Sequence, residues 1–194
     1  MRINEIFYSL QGEGAFTGTP SIFIRFSGCN LKCDFCDTEH QSYSEMSEIE
    51  ILQAIAKYPA RHVVLTGGEP SMQITASFID LLHRSKKFVQ IETNGTFILP
   101  KGLGIDWITC SPKEEYCKNA KIKLHHIDEL KVVYNGTNDM SIYNGIEAAN
   151  YYIQPCDMQN QQVNAKILDK AIKFCLKNSR WKLSLQTQKI LNVQ

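Results

Sequence analysis

The chain has 194 residues, 43% of them hydrophobic, which is enough for a substantial core, so we expect residues 1–194 to form a single domain. Its 21 basic and 20 acidic residues leave a formal net charge of +1, which argues against nucleic-acid and anionic-membrane surfaces. No signal segment or membrane-length apolar run is visible, and seven cysteines, an odd number, favour a reducing cytoplasm over a disulfide framework.

The first predicted elements are two strands joined by a glycine-rich turn. Apolar residues alternate loosely over 3–10 and stop at residues 11–14, Gln-Gly-Glu-Gly, where two glycines allow a tight turn that presents the glutamine and glutamate to a ligand. A plain hairpin turn explains the same residues. Residues 21–26 predict a buried strand that Arg25 interrupts. An unpaired buried guanidinium is costly, so Arg25 needs a ligand or an acidic partner in an ordinary ion pair.

A short polar loop after the second strand carries Cys29, Cys33 and Cys36 at the spacing C-x3-C-x2-C. A loop of this length can turn three thiolates toward one point. Three thiolates on a cubane iron–sulfur cluster leave one iron open to a small-molecule ligand. The alternative is a structural zinc site, which needs four ligands and for which His40 is close in sequence.

The rest of the chain alternates strands and helices. A capping box at Ser47 begins one helix, and helical spacing predicts others over 77–83, 142–149 and 164–176. Further strands are predicted over 62–66, 88–92, 107–110, 129–134, 151–153 and 181–185. Such alternation predicts parallel βα units, and six of them would form an open, partial (β/α)6 barrel. The helical layer should be reduced, because residues 112–128 show no apolar periodicity.

Polar and glycine-rich motifs follow the predicted strands, at the edge where α/β folds bind their ligands. These motifs are Gly67-Gly68-Glu69, Glu92-Thr93-Asn94, Ser111-Pro112-Lys113 and Gln154-Pro155. The three-cysteine loop, with Phe35 before its last cysteine, resembles the signature of the radical S-adenosylmethionine superfamily. Residues 65–70, Leu-Thr-Gly-Gly-Glu-Pro, resemble the methionine-binding turn of the same superfamily.

This resemblance implies a [4Fe-4S] cluster on Cys29, Cys33 and Cys36, with S-adenosylmethionine chelated at the open iron. Reductive cleavage would give methionine and a 5′-deoxyadenosyl radical, with an electron from an external, flavodoxin-like donor. The residues implied for S-adenosylmethionine are Phe35, Cys36, Asp37, Gly67, Gly68, Glu69, Glu92, Asn94, Ser111, Pro112, Lys113, Gln154, Pro155 and Asp157. Among these, the two glycines would admit the methionine moiety, and Glu69 would accept from its ammonium group.

The full pattern is similar to the 7-carboxy-7-deazaguanine synthase family. The segments that carry this resemblance are 10–14, Arg25, 36–38, 66–69, 92–95, 111–113 and 183–187. It implies a homodimeric lyase that needs Mg2+ and converts 6-carboxy-5,6,7,8-tetrahydropterin to 7-carboxy-7-deazaguanine with loss of ammonia. This ring contraction belongs to the biosynthesis of queuosine and other 7-deazapurines.

The same resemblance implies roles for individual residues. Thr38 would bind Mg2+, for which a hydroxyl is a suitable hard oxygen ligand, and the alternative for Thr38 is a capping hydroxyl. The residues implied for the pterin are Leu10, Gln11, Gly12, Glu13, Arg25, Thr66 and the terminal Gln194. The chain departs from the family pattern at Gln188, where histidine is expected, and at Gln194, where proline is expected. We expect the remaining cysteines to be buried thiols without a cluster role: Cys110, Cys117, Cys156 and Cys175.

Two other functions are compatible with parts of the sequence. A glycyl-radical-enzyme activase is also a short radical S-adenosylmethionine chain, but the turn at 11–14, Arg25 and the segment 183–187 count against it. A zinc-stabilised binding module would have no enzymatic activity. The metal content of anaerobically purified protein separates the zinc module from both enzymes.

Overall fold

A computed structural model describes residues 1–36, 42–100 and 102–194. Its strands are β1 (Arg2–Leu10), β2 (Pro20–Phe26), β3 (Ser44–Glu45), β4 (His62–Gly67), β5 (Phe88–Thr93), β6 (Trp107–Cys110), β7 (Glu129–Tyr134), β8 (Asn150–Pro155) and β9 (Trp181–Leu183). Its helices are α1 (Glu48–Ile55), α2 (Ala76–Arg84), α3 (Gln161–Lys177) and α4 (Thr187–Leu191). None of the helices in these ranges is long and apolar enough to cross a membrane.

All the described strands belong to one nine-stranded sheet in the order β3-β1-β2-β4-β5-β6-β7-β8-β9. Strands β2 and β4 to β9 run parallel, whereas β1 pairs antiparallel with both β2 and β3. The two edge strands β3 and β9 are not paired with each other in the described ladders. The predicted open, partial barrel is therefore confirmed.

Alternation along the strands divides the side chains between a core and a cavity. On β2, Ile22, Ile24 and Phe26 are fully buried and pack with α1 and α2, whereas Phe23 and Arg25 face the cavity. A second buried cluster packs β7, β8 and β9 against α3. Helices therefore cover one face of the sheet, and the opposite face carries Phe7, Phe23 and the polar side chains of the cavity.

The helical layer is reduced, as the sequence predicts. Residues 111–128 contain no helix, and α1, α2 and α3 form close to their predicted positions. The helix predicted over 142–149 is wrong, because only a 3-10 turn forms at Met140–Tyr143. The backbone beyond it bonds to a side chain instead: the Ala148 N–H donates to the Tyr151 hydroxyl, which donates to the Ile146 carbonyl.

The amino ends of the parallel strands are closed by the segment that follows β1. Its 3-10 turn (Gly14–Phe16) places the Phe16 ring edge-on against rings at the starts of three strands. The ring centroids lie 4.6 Å from His62, 5.6 Å from Phe88 and 4.9 Å from Trp107. This aromatic group forms a floor beneath the sheet's polar face.

Candidate active site

A cavity of about 1140 Å3 extends from the cysteine loop to the polar face of the sheet. Small-molecule sites typically measure about 300–1,000 Å3, so this cavity has room for more than one small ligand. The predicted site residues that line it are Leu10, Gln11, Gly12, Glu13, Arg25, Cys29, Cys33, Phe35, Cys36, Thr66, Gly67, Gly68, Glu92, Asn94, Ser111, Lys113, Gln154, Pro155, Asp157 and Gln194. Glu69 and Pro112 are buried beside the cavity, and Asp37, Thr38 and His40 lie outside the described residues.

The cysteine loop is held by amide side chains. Asn30 donates from Nδ2 to the Thr96 hydroxyl at 2.9 Å and accepts at Oδ1 from Asn94 Nδ2 at 3.0 Å. Within the loop, the Cys36 N–H donates to the Cys33 carbonyl at 3.1 Å. Asn94 is thus a support of the cysteine loop, a role that its position in the sequence did not predict.

The three loop thiols line the same cavity, so their chemistry, though not their present grouping, matches the thiolate donor set of an iron–sulfur cluster. Burial raises the pKa of Cys29, and burial followed by a hydrogen bond with Cys117 raises that of Cys33 to about 12. The Cys33 and Cys117 sulfurs are 3.4 Å apart. Cluster binding must therefore release protons from these thiols.

Among the described residues, no three His, Cys, Asp or Glu side chains are grouped so as to hold one metal ion. Cys110 and Cys156 are buried as expected, whereas Cys117 and Cys175 are half-buried, so the expectation of burial is wrong for these two. Cys117 touches the cysteine loop because the irregular connection from β6 to β7 crosses it, and sequence spacing could not reveal that contact.

The double glycine brings the turn after β4 into backbone contact with the cysteine loop. The Gly68 N–H donates to the Phe26 carbonyl and the Glu69 N–H to the Gly28 carbonyl, each at 2.9 Å. A Cβ on Gly68 would lie 2.1 Å from the Gly28 oxygen, and Gly67 has φ of +117°. Both glycines are therefore required by the approach of the two loops, before any ligand is considered.

Glu69 is fully buried and bonds the turn to the end of β5. Its carboxylate accepts from the Thr93 hydroxyl at 2.7 Å, from the Asn94 N–H at 2.8 Å and from the Ser71 N–H at 3.0 Å. These donors explain how a buried carboxylate is tolerated here. Its contact with a ligand ammonium stays a prediction.

A buried lysine joins the carboxylates at the other end of the cavity. Lys131 Nζ lies 2.7 Å from Glu13 Oε2 and 3.5 Å from Glu92 Oε1. Gln11 Nε2 donates to the same Glu92 oxygen at 2.9 Å. We call Glu13, Glu92 and Lys131 the lysine–carboxylate cluster. Lys131 was not predicted as a site residue, although a lysine within the apolar run 129–134 is a signal for a buried partner.

The cluster shifts the protonation of its members. Burial alone would raise the pKa of Glu13, but the charge and hydrogen bond of Lys131 outweigh it and lower that pKa to about 2. Burial alone would lower the pKa of Lys131, but the charges of Glu13, Glu92 and Glu129 raise it above its ordinary value. Glu13 is therefore a carboxylate, and Lys131 a cation, at neutral pH.

Residues 184–188 join the turn at 11–14 across the open side of the sheet. Gln186 and Gln188 each donate from Nε2 to Glu13 Oε1 at 3.1 Å. The Thr187 N–H donates to the Gly12 carbonyl at 3.0 Å. The predicted departure at Gln188 thus lies in the site, where its amide contacts Glu13.

Arg25 has an acidic partner within the protein. Its Nε lies 2.7 Å from Glu5 Oε1, and Gln194 Nε2 donates to Glu5 Oε2 at 2.8 Å. The ordinary ion pair that the sequence left open is present. Arg25 also lines the cavity, so a ligand carboxylate at its other nitrogens stays a prediction.

The remaining predicted residues form the wall between β6 and β8. Lys113 Nζ donates to the Ser111 carbonyl at 2.6 Å and hydroxyl at 2.7 Å, and burial lowers its pKa. The Ser184 hydroxyl donates to Gln154 Oε1 at 2.9 Å. Asp157 lies nearby at the rim, where it pairs with Lys189.

Comparisons with protein families, known sequences and solved structures give matches that agree with one another. The family described as the Radical SAM superfamily matches residues 23–139. A 7-carboxy-7-deazaguanine synthase of Bacteroides thetaiotaomicron is 49% identical over 193 residues, covering 100% of this chain and 98% of that protein. One from Bradyrhizobium diazoefficiens is 36% identical, with 99% and 98% covered. The crystal structure of QueE from Escherichia coli matches with a TM-score of 0.79 at 29% identity and covers 95% of this chain and 92% of that one.

Proposed function

Since the chain belongs to the 7-carboxy-7-deazaguanine synthase family within the radical S-adenosylmethionine superfamily, we propose that it converts 6-carboxy-5,6,7,8-tetrahydropterin to 7-carboxy-7-deazaguanine with loss of ammonia. The observation that carries the proposal is the shared cavity. One end has three thiols and a glycine turn, and the other has oriented carboxylates. Such a cavity suits a cofactor and a polar, planar substrate together.

In this proposal Cys29, Cys33 and Cys36 hold a [4Fe-4S] cluster. When bound, the cluster supplies the electron that cleaves S-adenosylmethionine reductively to methionine and a hydrogen-abstracting 5′-deoxyadenosyl radical. The electron comes from an external donor, for which a flavodoxin-like protein is our proposal. The chain positions the reactants and keeps water from them.

S-adenosylmethionine is proposed to lie against the loops that follow β2, β4, β6 and β8. The backbone of Gly67 and Gly68 faces the methionine part, and Phe35, Lys113 and Gln154 face the adenosyl part. Support comes from their common lining of the cavity. Glu92 is proposed to contact the ribose from its position in the lysine–carboxylate cluster.

The pterin is proposed to bind at the other end of the cavity. The segment from Leu10 to Glu13 receives its nitrogen-rich edge, and Arg25 with Thr66 receives its carboxylate. Arg25 can do so while paired to Glu5, because its Nε makes that bond and a guanidinium has further donors. Gln194 donates to the same Glu5 carboxylate, and we propose that it covers the bound substrate.

Mg2+ at Thr38, a homodimeric assembly and a cytoplasmic location are further parts of the proposal. They rest on the resemblance to the family. In the same terms, the product enters the biosynthesis of queuosine and other 7-deazapurines.

Anaerobic turnover tests this function. Reconstituted protein receives S-adenosylmethionine, a reductant, Mg2+ and the tetrahydropterin acid, and mass spectrometry follows the products. We expect 7-carboxy-7-deazaguanine. Formation of deoxyadenosine without 7-carboxy-7-deazaguanine would contradict the proposed substrate and favour a glycyl-radical-enzyme activase. Stoichiometric zinc with negligible iron in the purified protein would contradict the radical chemistry.

A matched pair of variants tests the cluster ligands. Cys33→Ala should abolish both iron binding and deoxyadenosine formation. Cys175→Ala, on the half-buried face of α3, should keep both. Full cleavage of S-adenosylmethionine by the first variant would remove Cys33 from the ligand set.

A further inference from the structure

Among the described residues, Lys131 is the only cationic side chain that contacts Glu13, and only 3% of it is exposed to solvent. It extends from β7, while Glu13 lies on the turn after β1 and Glu92 on β5. Strands β5 and β7 are not neighbours, since β6 separates them. Lys131 therefore links Glu13 and Glu92, which lie on segments that are not paired with β7 by strand hydrogen bonds.

Every oxygen of Glu13 is occupied by a donor from elsewhere in the chain. Lys131 takes Oε2, while Gln186 and Gln188 share Oε1. A half-buried carboxylate with this many donors has a fixed orientation, and Oε2, which accepts from Lys131 alone among the described donors, keeps a lone pair for a ligand. Glu92 is held in the same way by Gln11 and Lys131, and it stays partly open to the cavity.

The charges in this region favour a ligand that donates hydrogen bonds. Glu13 and Glu92 carry two negative charges against the single positive charge of Lys131. A third acid, Glu129, lies beside them but outside the residues that line the cavity, and its carboxylate accepts from the Ala15 N–H at 2.9 Å. The net negative charge around Glu13 matches a planar edge that carries several N–H groups.

We propose that Lys131 is a positioning residue for substrate recognition, which fixes Glu13 as an oriented carboxylate for the N–H donors of the 2-aminopyrimidinone edge of the pterin, beside Glu92 at the ribose. The inference rests on the proposed function. Without the lysine, Glu13 and Glu92 would repel each other. The Glu13 carboxylate would then take up a proton or turn toward water. Either change removes acceptors that the substrate edge needs.

A merely structural role for Lys131 makes a different prediction. If the lysine only ties the turn at 11–14 to β7, its loss should lower stability and cluster content without a selective change in substrate binding. The two roles are therefore separated by the apparent KM for the pterin, measured beside the affinity for S-adenosylmethionine.

The test uses the reconstituted enzyme with Lys131→Met and Lys131→Arg, and Lys173→Met as the control, since Lys173 pairs with Asp169 on the exposed face of α3. We expect Lys131→Met to raise the KM for the pterin about tenfold or more, with smaller changes in kcat and in the affinity for S-adenosylmethionine. Lys131→Arg should recover part of the loss, and the control should match the wild type.

A double variant shows whether the lysine acts through Glu13. On a Glu13→Gln background, Lys131→Met should add little to the KM, because the carboxylate that it positions is gone. A KM for Lys131→Met within about twofold of the wild type, or additive effects in the double variant, would overturn the inference. Absence of turnover by the wild type would overturn the proposed function and this inference together, whereas turnover with an unchanged KM overturns the inference alone.

Discussion

At the scale of single residues, Gly68 decides how closely the turn after β4 approaches the cysteine loop. We expect Gly68→Ala to lose cluster, because the new Cβ would meet the backbone oxygen of Gly28, which cannot move without the loop. The free energy of unfolding should fall by about 1–3 kcal/mol, as for other overpacked sites. Iron and sulfide content, with chemical denaturation, measure the two effects.

Gly145→Ala provides the control for this substitution. Gly145 is exposed and has no atom within 4 Å of an added Cβ. The control should therefore bind as much cluster as the wild type. Equal iron content in both alanine variants would show that the loop contact at Gly68 is dispensable.

Residue types and spacing predicted which side chains share the cavity, but not what they bond to. Cys29, Cys33 and Cys36 were recognisable because their spacing is local. Glu69 and Asn94 were predicted as ligand contacts, and their hydrogen bonds show that they also brace the loops. Lys131 was missed because its partners lie far away in sequence, at Glu13 and Glu92.

At the scale of elements, the helix-free connection from β6 to β7 supports the cysteine loop through one aromatic ring. Tyr116 packs edge-on against Phe35 with centroids 4.5 Å apart, and its hydroxyl donates to the Val133 carbonyl. We expect Tyr116→Ala to weaken binding of S-adenosylmethionine up to about tenfold, since such ring pairs contribute about 0.5–1.5 kcal/mol. Equilibrium binding to the reconstituted enzyme measures the change.

Two further variants separate the contribution of the Tyr116 ring from that of its hydroxyl. Tyr116→Phe keeps the ring and should bind nearly as well as the wild type. Lys118→Ala changes an exposed residue of the same connection and should have no effect. If the phenylalanine variant binds as weakly as the alanine variant, the hydroxyl rather than the ring carries the support.

Elements were predictable where local signals agreed with the packing. The capping box at Ser47 and the spacing in α2 and α3 predicted helices that form. The segment 142–149 had helical spacing but formed only a 3-10 turn, because Tyr143 is buried in the core and Tyr151 binds the backbone that follows. That competition depends on a strand later in the chain.

At the scale of the whole molecule, the pair of Glu13 and Lys131 makes stability depend on pH. The pKa of Glu13 is 4.5 in the unfolded chain and about 2 in the folded protein. Its contribution to the free energy of unfolding is therefore complete above pH 4.5 and is lost as the pH falls toward 2. We expect the free energy of unfolding to fall over this interval by on the order of 2 kcal/mol more in the wild type than in Glu13→Gln. Denaturant titrations at several acidic pH values measure the difference.

Asp157→Asn serves as the control for this pH dependence. Asp157 also has a lowered pKa, through hydrogen bonds from Lys189 and its neighbours, but it lies at the cavity rim. An exposed pair contributes little to stability. A wild-type curve that follows Glu13→Gln throughout the acidic range would mean that the buried pair does not stabilise the fold.

The hydrogen bonds between residues 184–188 and the turn at 11–14 also bear on the order in which the molecule forms. Glu13 is separated from Gln186 by 173 positions and from Gln188 by 175. Bringing such distant segments together costs chain entropy that early local contacts do not repay. These contacts should therefore form after the folding transition state, so that substitutions at Gln186 or Gln188 accelerate unfolding and leave the folding rate almost unchanged.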